Sequence, residues 1–349
     1  MPEIFHYNHP FTLESGDVLQ GYHLAYNTFG TLNKQKDNAV WIFHALTANS
    51  DATEWWPGLV GEGKLLDPAV YFIVCVNMPG SCYGSTGPLE IDLRTNQPYY
   101  HTFPFFTPRD MIRSYQPLKE FLGIQKIEIG IGGSMGGQQL LEWAIEVPEL
   151  FRYIFPIATN AQHSPWAIAF NASQRFCIEA DQSWKLNSPE AGLEGMKTAR
   201  SVALISYRSY ETYKLGQAEI SNEKIDLFNS ESYQRYQGEK LASRFNAYSY
   251  YALSKSMDSH NVGRGRGSVA EALRRIKART LSIGIKSDLL FPVEEQEYLA
   301  AHIEGGRFRL INSYYGHDGF LLEFEQIQQQ IQEFLKKDMF TTQKIETTN

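Results

Sequence analysis

Short apolar segments alternate with longer segments of helical periodicity along most of this chain. The apolar segments predict β-strands at 18–26, 39–44, 71–77, 127–132, 153–157, 280–285 and 307–311. Several of them are apolar without interruption, which is typical of strands that are covered on both faces. We therefore expect an α/β protein with a mostly parallel central sheet and helices on both sides of it.

The alternation stops between residues 161 and 267, where only helical patterns occur. Helices are predicted at 166–180, 189–207 and 232–257, and no strand-like run separates them. The sequence thus predicts an α/β core formed by residues 1–160 and 268–349, with a helical lid at 161–267 inserted into it. Residues 263–267 return the chain to the core and carry Arg264 and Arg266. We favour a flexible connector for them over a phosphate contact.

Composition and charge narrow the possible partners. The net charge is −7, and no long basic stripe occurs, which argues against nucleic acid. No apolar run approaches the length of a membrane helix, and no leader segment is visible at the N-terminus. The three cysteines lack paired spacing and predict reduced thiols in a cytoplasmic protein. The histidines are scattered, and we expect no metal site.

Residues 132–136 carry the clearest chemical signal in the chain. They read Gly-Gly-Ser-Met-Gly, directly after the apolar segment 127–132 and directly before a helical pattern. This layout is that of a nucleophile elbow, in which Ser134 sits on a sharp turn between a strand and a helix. Side chains at Gly132 and Gly136 would clash with the adjoining strand and helix, which explains the glycines.

A serine nucleophile needs a base to take its proton and an acid to orient that base. In the α/β-hydrolase arrangement the acid and then the histidine follow the serine in the chain, each after a later strand. Asp288 follows the predicted strand at 280–285, and His317 follows the one at 307–311. The sequence therefore predicts a triad of Ser134, Asp288 and His317. Rival acids are Asp318, which adjoins the histidine, and Glu294 and Glu295, which open a helix.

Two backbone N–H groups are needed for the oxyanion that forms on the acyl carbon. We expect the amide of Met135, the residue directly after the nucleophile, to be one of them. The loop after the strand at 39–44 predicts the other, and Leu46 is our choice within that loop.

Several motifs together resemble the homoserine O-acetyltransferases, which are α/β-hydrolase-fold enzymes of methionine biosynthesis. The motifs lie at 44–47 (His-Ala-Leu-Thr), 55–56 (Trp-Trp), 80–88, 133–137, 287–292 and 316–323, and the resemblance covers roughly residues 10 to 335. It implies transfer of an acetyl group from acetyl-CoA to the hydroxyl of L-homoserine, through an acetyl-serine intermediate and without a bound cofactor. Ser134, Asp288 and His317 match the family's triad, and a homodimer is the family's usual state.

The same resemblance implies residues that bind the amino-acid substrate. Arg200 and Tyr207 match an arginine and a tyrosine seven residues apart on a lid helix, and Asp318 matches a carboxylate that meets the substrate ammonium. Seven residues are close to two helical turns, so Arg200 and Tyr207 share a helix face. A guanidinium suits two-pronged binding of a carboxylate. From the residue alone, a solvated position on the helix is the favoured interpretation of Arg200.

Four alternatives stay open at this point. Two loops depart from the family pattern, at 48–49 and at 78–81, so L-serine as acceptor and succinyl-CoA as donor are alternatives. A carboxylesterase-type hydrolase would use the same triad with water. A non-catalytic binding protein is the fourth. A lid that carries Arg200 and Tyr207 favours an enclosed site for a zwitterionic acceptor.

Overall fold

The computed structural model describes residues 1–346, with side chains as far as Lys337, so residues 347–349 at the end of the predicted core lie outside it. Its strands are β1 (Glu3–Tyr7), β2 (Phe11–Thr12), β3 (Val18–Leu19), β4 (Tyr22–Phe29), β5 (Ala39–Phe43), β6 (Phe72–Val76), β7 (Ile91–Asp92), β8 (Gln97–Pro98), β9 (Ile127–Gly133), β10 (Phe151–Ile157), β11 (Arg279–Ile285) and β12 (Arg307–Ile311).

The helices lie mostly between and after the strands. They are α1 (Ala52–Trp55), α2 (Pro108–Phe121), α3 (Met135–Glu146), α4 (Pro165–Ala180), α5 (Leu193–Tyr207), α6 (Tyr210–Gly216), α7 (Asn229–Ala242), α8 (Ala247–Asp258), α9 (Val269–Leu273), α10 (Val293–His302) and α11 (Phe324–Glu346). Short 3-10 helices occur at Tyr100–Thr102, Gln182–Lys185 and Gly316–Leu321.

The main sheet has eight strands in the order β1-β4-β6-β5-β9-β10-β11-β12. Only β4 runs against its neighbours, and every pair from β6 to β12 is parallel. The prediction of a mostly parallel α/β sheet is therefore confirmed. Because the parallel strands share one direction, their carboxyl ends meet at one edge of the sheet, where open α/β sheets place their sites.

Strand β5 shows why the central strands are continuously apolar. Trp41 and Phe43 pack into the core layer on one side of the sheet, whereas Val40 and Ile42 pack into the layer on the other side. Successive side chains of a strand point to opposite faces, so a strand with helices on both sides needs apolar residues at every position. All five residues of β5 are buried.

One strand prediction was incomplete, and one strand of the main sheet was not predicted. The single strand predicted at 18–26 is interrupted at residues 20–21, where β3 ends and β4 begins. Strand β1 was missed because it lies at the sheet edge and is largely exposed, so its sequence lacks an apolar run. The other predicted strands are present, with ends that differ by at most two residues.

Between β10 and β11 the described chain contains helices and no strand of the sheet. Helices α4 to α8 fall within the predicted lid. The helix predicted at 232–257 is two helices, α7 and α8, because the side chain of Asn246 accepts a hydrogen bond from the Ser249 amide and begins a new helix there. Helix α6 was not predicted. The division into a core and a lid stays a prediction.

The two ends of the lid are joined to each other and to the core. The Val262 amide donates to the Ala161 carbonyl at 3.0 Å, and the His163 amide donates to the His260 carbonyl at 2.9 Å. These two bonds hold the entering and leaving chain segments side by side.

The expectation of a flexible connector at 263–267 was wrong. The Arg266 guanidinium contacts Glu142 and Glu146 of α3, at 2.7 Å each, and Arg264 contacts Glu14 at 2.9 Å. Glu142 is almost fully buried, so these ion pairs lie in a medium of low polarity. Arg266 therefore fixes the return of the lid onto the helix that follows Ser134, and Arg264 fixes it onto the loop between β2 and β3.

Three further features concern helix length, the cysteines and possible metal ligands. The described part of the chain has no helix that combines the length and the apolar character of a membrane span. Cys75, Cys82 and Cys177 are free thiols. Within the same part, no group of three or more His, Cys, Asp or Glu side chains is arranged to hold a metal ion.

Candidate active site

Ser134 lies on a strained turn at the carboxyl end of β9. Its backbone has φ 56° and ψ −127°, a region that residues with a side chain rarely occupy. A Cβ atom on Gly132 would lie 2.7 Å from the backbone carbon of Gly136, and one on Gly136 would lie 2.1 Å from the Phe43 carbonyl oxygen. The expected clashes at both glycines are confirmed. The turn is held by Thr159, whose hydroxyl donates to the Ser134 carbonyl at 2.8 Å.

The structure brings the three predicted triad residues together. His317 Nε2 lies 2.9 Å from Ser134 Oγ, and His317 Nδ1 lies 2.7 Å from Asp288 Oδ2. Asp288 follows β11, and His317 lies in the 3-10 helix after β12. All three side chains are buried. This geometry allows the histidine to take a proton from the serine while the aspartate orients the ring. The catalytic roles of the three stay predictions.

Asp288 is anchored at both of its oxygens. Oδ1 accepts hydrogen bonds from the amides of Leu290 and Phe291, at 2.8 and 2.9 Å, which leaves Oδ2 directed at His317. The rival acid Glu295 lies in the first turn of α10, and burial raises its pKa to about 7. Neither Glu295 nor Glu294 contacts a nitrogen of His317, since Ser134 and Asp288 occupy both.

His317 lies among aromatic rings that exclude water. Its ring stacks on Phe291 with centroids 5.1 Å apart, and Phe320 and Tyr207 lie at 5.3 and 5.7 Å. Burial lowers the pKa of His317, but the charge and hydrogen bond of Asp288, helped by the nearby charge of Asp318, outweigh it. The pKa of His317 is therefore raised, which favours the imidazolium that forms when the serine is deprotonated.

The two predicted oxyanion amides lie beside the nucleophile. Met135 is the first residue of α3, where an amide has no partner within the helix, and Leu46 lines the cavity that contains Ser134. Among the hydrogen bonds of the described residues, none is donated by either amide. Both N–H groups are thus free to receive an oxyanion, and their role stays a prediction.

His44 holds the loop of the second amide in place, a contribution that the sequence analysis missed. Its Nδ1–H donates to the Ala45 carbonyl at 2.8 Å, and its Nε2 accepts from the Met78 amide at 3.2 Å. These partners require the neutral ring, and burial lowers the pKa of His44 to about 4. His44 therefore fixes the loop without adding a charge near the nucleophile.

A cavity of about 560 Å³ extends from Ser134 to the lid. Arg200, Tyr207 and Asp318, the three residues implied by the family resemblance, all line it together with Ser134 and His317. The Arg200 guanidinium lies over the ring of Tyr207, 5.4 Å from its centroid. Helix α5 thus presents both residues on one face, as their spacing predicts.

Arg208 is one of the charged residues of this cavity that were not singled out from the sequence. Arg208, the residue that follows α5, places its Nε 3.0 Å from Oδ2 of Asp318. Because the two paired residues are 110 positions apart, no local sequence pattern predicts the pairing. The only local hint is the position of Arg208 directly after Tyr207.

The fold and the Ser134–His317–Asp288 arrangement together define an enzyme class, the α/β hydrolases. A family model described as alpha/beta hydrolase fold matches residues 38–324. This match covers the strands and loops that carry all three residues.

Comparison with individual proteins gives a narrower assignment. A homoserine O-acetyltransferase of Cyclobacterium marinum is 48% identical over 95% of this chain and 94% of its own length. The chain therefore belongs to the homoserine O-acetyltransferase family. A crystal structure of homoserine O-acetyltransferase from Bacillus anthracis is similar with a TM-score of 0.88 and 26% identity, over 96% of this chain and 97% of that one.

Hydrolases share this architecture. A crystal structure of an acetylester hydrolase from Corynebacterium glutamicum is similar with a TM-score of 0.85 and 26% identity, over 96% of each chain. The fold alone therefore does not separate transfer to an alcohol from transfer to water.

Proposed function

We propose that this protein transfers an acetyl group from acetyl-CoA to the side-chain hydroxyl of L-homoserine, a step of methionine biosynthesis. The observation that carries the proposal is a shared cavity. Ser134 lines this cavity together with Arg200, Tyr207 and Asp318, and their chemistry supports binding of a zwitterionic amino acid.

In the first half-reaction, His317 takes the proton of Ser134 as the serine oxygen attacks the thioester carbon of acetyl-CoA. Asp288 holds the ring so that Nε2 faces the serine. The Leu46 and Met135 amides stabilise the oxyanion of the tetrahedral intermediate. The imidazolium of His317 then protonates the leaving sulfur, CoA departs, and Ser134 is left as an acetyl ester.

In the second half-reaction, the hydroxyl of homoserine occupies the position that the sulfur has left. His317 takes its proton, the alcohol oxygen attacks the acetyl carbon, and the same two amides stabilise the second oxyanion. Collapse of this intermediate releases O-acetylhomoserine, and His317 returns the proton to Ser134.

The charged residues of the cavity favour a transferase over a hydrolase. Water needs no Arg200, Tyr207 or Asp318, whereas an α-amino acid offers a carboxylate to the first two and an ammonium to the third. Positioning of the acceptor at the acyl carbon supplies effective molarities of about 10⁵ M and above, enough to compete with the surrounding water.

Positive charge at the cavity wall supports a CoA ester as donor. Lys240 and Arg244 line the cavity and are both exposed. Arg244 donates to the carbonyl of Thr47, at 2.6 Å, in the same loop as Leu46. A polyanionic donor is attracted to such a wall. We assign acetyl-CoA as donor, with succinyl-CoA and an L-serine acceptor as the alternatives to be tested.

We also propose a cellular location and an oligomeric state for the protein. The three free thiols support a cytoplasmic protein. We also propose a homodimer formed through the lid, because the lid exposes large apolar side chains that solvent does not favour. Among them are Ile205, Tyr210, Leu215, Ile220, Ile225 and Leu227.

The decisive experiment measures CoA release with acetyl-CoA and no acceptor, with L-homoserine, and with L-serine, and identifies the acetylated product. We expect ping-pong kinetics with parallel double-reciprocal lines for acetyl-CoA and homoserine. Release of CoA without acceptor should be at least about a hundredfold slower, because water gains nothing from the cavity's positioning groups.

Equally fast cleavage of acetyl-CoA or of a simple acetyl ester without homoserine would identify a hydrolase. Faster turnover with succinyl-CoA, or with serine, would change the donor or the acceptor while leaving the mechanism intact.

Replacing Arg200 by alanine should damage the two half-reactions unequally. Loss of its charge-assisted contact with the acceptor carboxylate is expected to cost about 2–4 kcal/mol in kcat/KM for homoserine, and acetylation by acetyl-CoA should change little. Lysine should restore only part of the loss, because it lacks the two-pronged geometry. Stopped-flow measurement of each half-reaction separates them.

Arg235→Ala is the matched control for Arg200, since Arg235 is an exposed lid arginine paired with Glu231 on its own helix. It should leave both half-reactions unchanged. An equal loss in both half-reactions on changing Arg200 would instead assign it a structural role in the lid.

A further inference from the structure

Arg208 and Asp318 form an ion pair inside the proposed acceptor cavity. The distance from Arg208 Nε to Asp318 Oδ2 is 3.0 Å, and the two side chains are 20% and 12% exposed. Both residues line the cavity that contains Ser134. The Arg208 guanidinium also lies over the ring of Tyr315, 5.9 Å from its centroid. The pair is thus located where an amino acid would bind, and solvent screens it only in part.

This ion pair is close but poorly aligned. The Arg208 Nε–H is buried and makes no hydrogen bond, so it does not point at the carboxylate oxygen beside it. None of the hydrogen bonds among the described residues ends on the Asp318 carboxylate. A buried carboxylate gains free energy from aligned donors. Asp318 is therefore held by charge and remains able to exchange its partner.

Arg200 is a second arginine of the same cavity. In the described part of the chain its guanidinium is paired with no carboxylate and lies over the ring of Tyr207. Arg200, a cation without a carboxylate partner, thus shares the cavity with one loosely paired cation and anion, while Lys240 and Arg244 line its exposed wall.

We infer that Arg208 is a specificity-determining residue that exchanges its partner when a zwitterionic acceptor binds. This inference rests on the proposed transfer to an amino acid. The acceptor's ammonium replaces Arg208 at Asp318, and the released guanidinium joins Arg200 at the acceptor's carboxylate. An incoming α-amino acid with a side-chain hydroxyl therefore satisfies all three charged groups at once.

The exchange selects against alcohols that carry only one charge. A primary amino alcohol without a carboxylate would displace Arg208 from Asp318 and leave two guanidinium groups unpaired in a partly buried cavity. An uncharged alcohol would gain nothing from any of the three residues. Both should be poor acceptors for the unaltered enzyme, since an uncompensated buried charge is costly.

The test compares L-homoserine with 3-aminopropan-1-ol, which is homoserine without its carboxylate. Unaltered enzyme and Arg208→Gln are acetylated, and kcat/KM for transfer to each acceptor is measured. We expect Arg208→Gln to lower the value for homoserine by about tenfold or more, because a carboxylate partner is lost. The value for aminopropanol should stay equal or rise, because Asp318 no longer has a competing cation.

Two controls separate this role from a structural one. Arg235→Gln removes an exposed lid guanidinium and should leave both acceptors unchanged. Acetylation of Ser134 by p-nitrophenyl acetate, which needs no acceptor, should change by a much smaller factor in Arg208→Gln than transfer to homoserine does. Should Arg208→Gln fold poorly, Arg208→Lys takes its place, and because lysine lacks the two-pronged geometry it should lower kcat/KM for homoserine by a larger factor than kcat/KM for aminopropanol.

The inference is overturned if Arg208→Gln, or Arg208→Lys in its place, lowers transfer to both acceptors by the same factor, or leaves both unchanged. Failure of the unaltered enzyme to acetylate homoserine at all is a different result, because it removes the proposed function itself.

Discussion

Replacing Ser134 by alanine is expected to lower kcat by about 10⁶-fold. Every step of the proposed mechanism passes through the Ser134 oxygen, and the histidine, the aspartate and the two amides have no substitute nucleophile to act on. The residual rate should be that of an enzyme that binds its substrates and polarises the thioester without forming an acyl-enzyme.

The measurement is steady-state turnover of acetyl-CoA with homoserine, supported by mass analysis of quenched enzyme. Unaltered protein should gain one acetyl group on the peptide that contains Ser134, and the alanine variant should gain none. Ser282→Ala is a suitable control, because Ser282 is a buried strand serine whose hydroxyl has no partner. Substantial turnover by Ser134→Ala would rule out the acetyl-serine intermediate.

Replacing Asp288 by asparagine is expected to lower kcat by about 10⁴-fold. The amide occupies the same space, but its NH₂ group can donate a hydrogen bond where the carboxylate only accepts one. The ring of His317 is then free to adopt the tautomer that carries its proton on Nε2, facing Ser134. In that tautomer it cannot take the serine proton.

The same substitution should also shift the pH profile. In the unaltered enzyme, burial lowers the pKa of His317, and the charge and hydrogen bond of Asp288 more than offset this, with help from Asp318. The base must be neutral, so activity falls as the pH drops through the pKa of His317. Without Asp288 that pKa should be lower, and the acidic limb of residual kcat/KM should move to lower pH.

Glu295→Gln provides the comparison for Asp288→Asn. If the acid is correctly assigned, the Glu295 variant should keep most of its activity, because Glu295 does not contact His317. Near-full activity in Asp288→Asn together with loss of activity in Glu295→Gln would reassign the acid.

The sequence predicted the parts of the fold whose environment is uniform along the chain. Strands β5 and β6 are covered on both faces, so burial alone required apolar residues at nearly every position. Strand β1 pairs with one neighbour only and is largely exposed, so its residues carry no such requirement. The break between α7 and α8 depends on one capping side chain, that of Asn246. The periodicity of apolar residues, on which the helix prediction was based, does not reveal such a cap.

In the candidate site, too, the residues placed by local sequence could be predicted, and those placed by contacts between distant segments could not. Ser134 could be located because the strained turn imposes glycines on its immediate neighbours. Asp288 and His317 follow from chain order, since each comes after a strand that ends at the same sheet edge. The pairing of Arg208 with Asp318 depends on how the lid sits over the core. That placement is determined by packing and not by any pattern within either segment.

The ion pairs that join Arg266 to Glu142 and Glu146 limit how substrates reach the serine. Lifting the whole lid away from the core would pull Arg266 from Glu142 and Glu146 and leave Arg109 as the partner of the nearly fully buried Glu142. These ion pairs therefore oppose any opening of the site in which the lid moves as one piece.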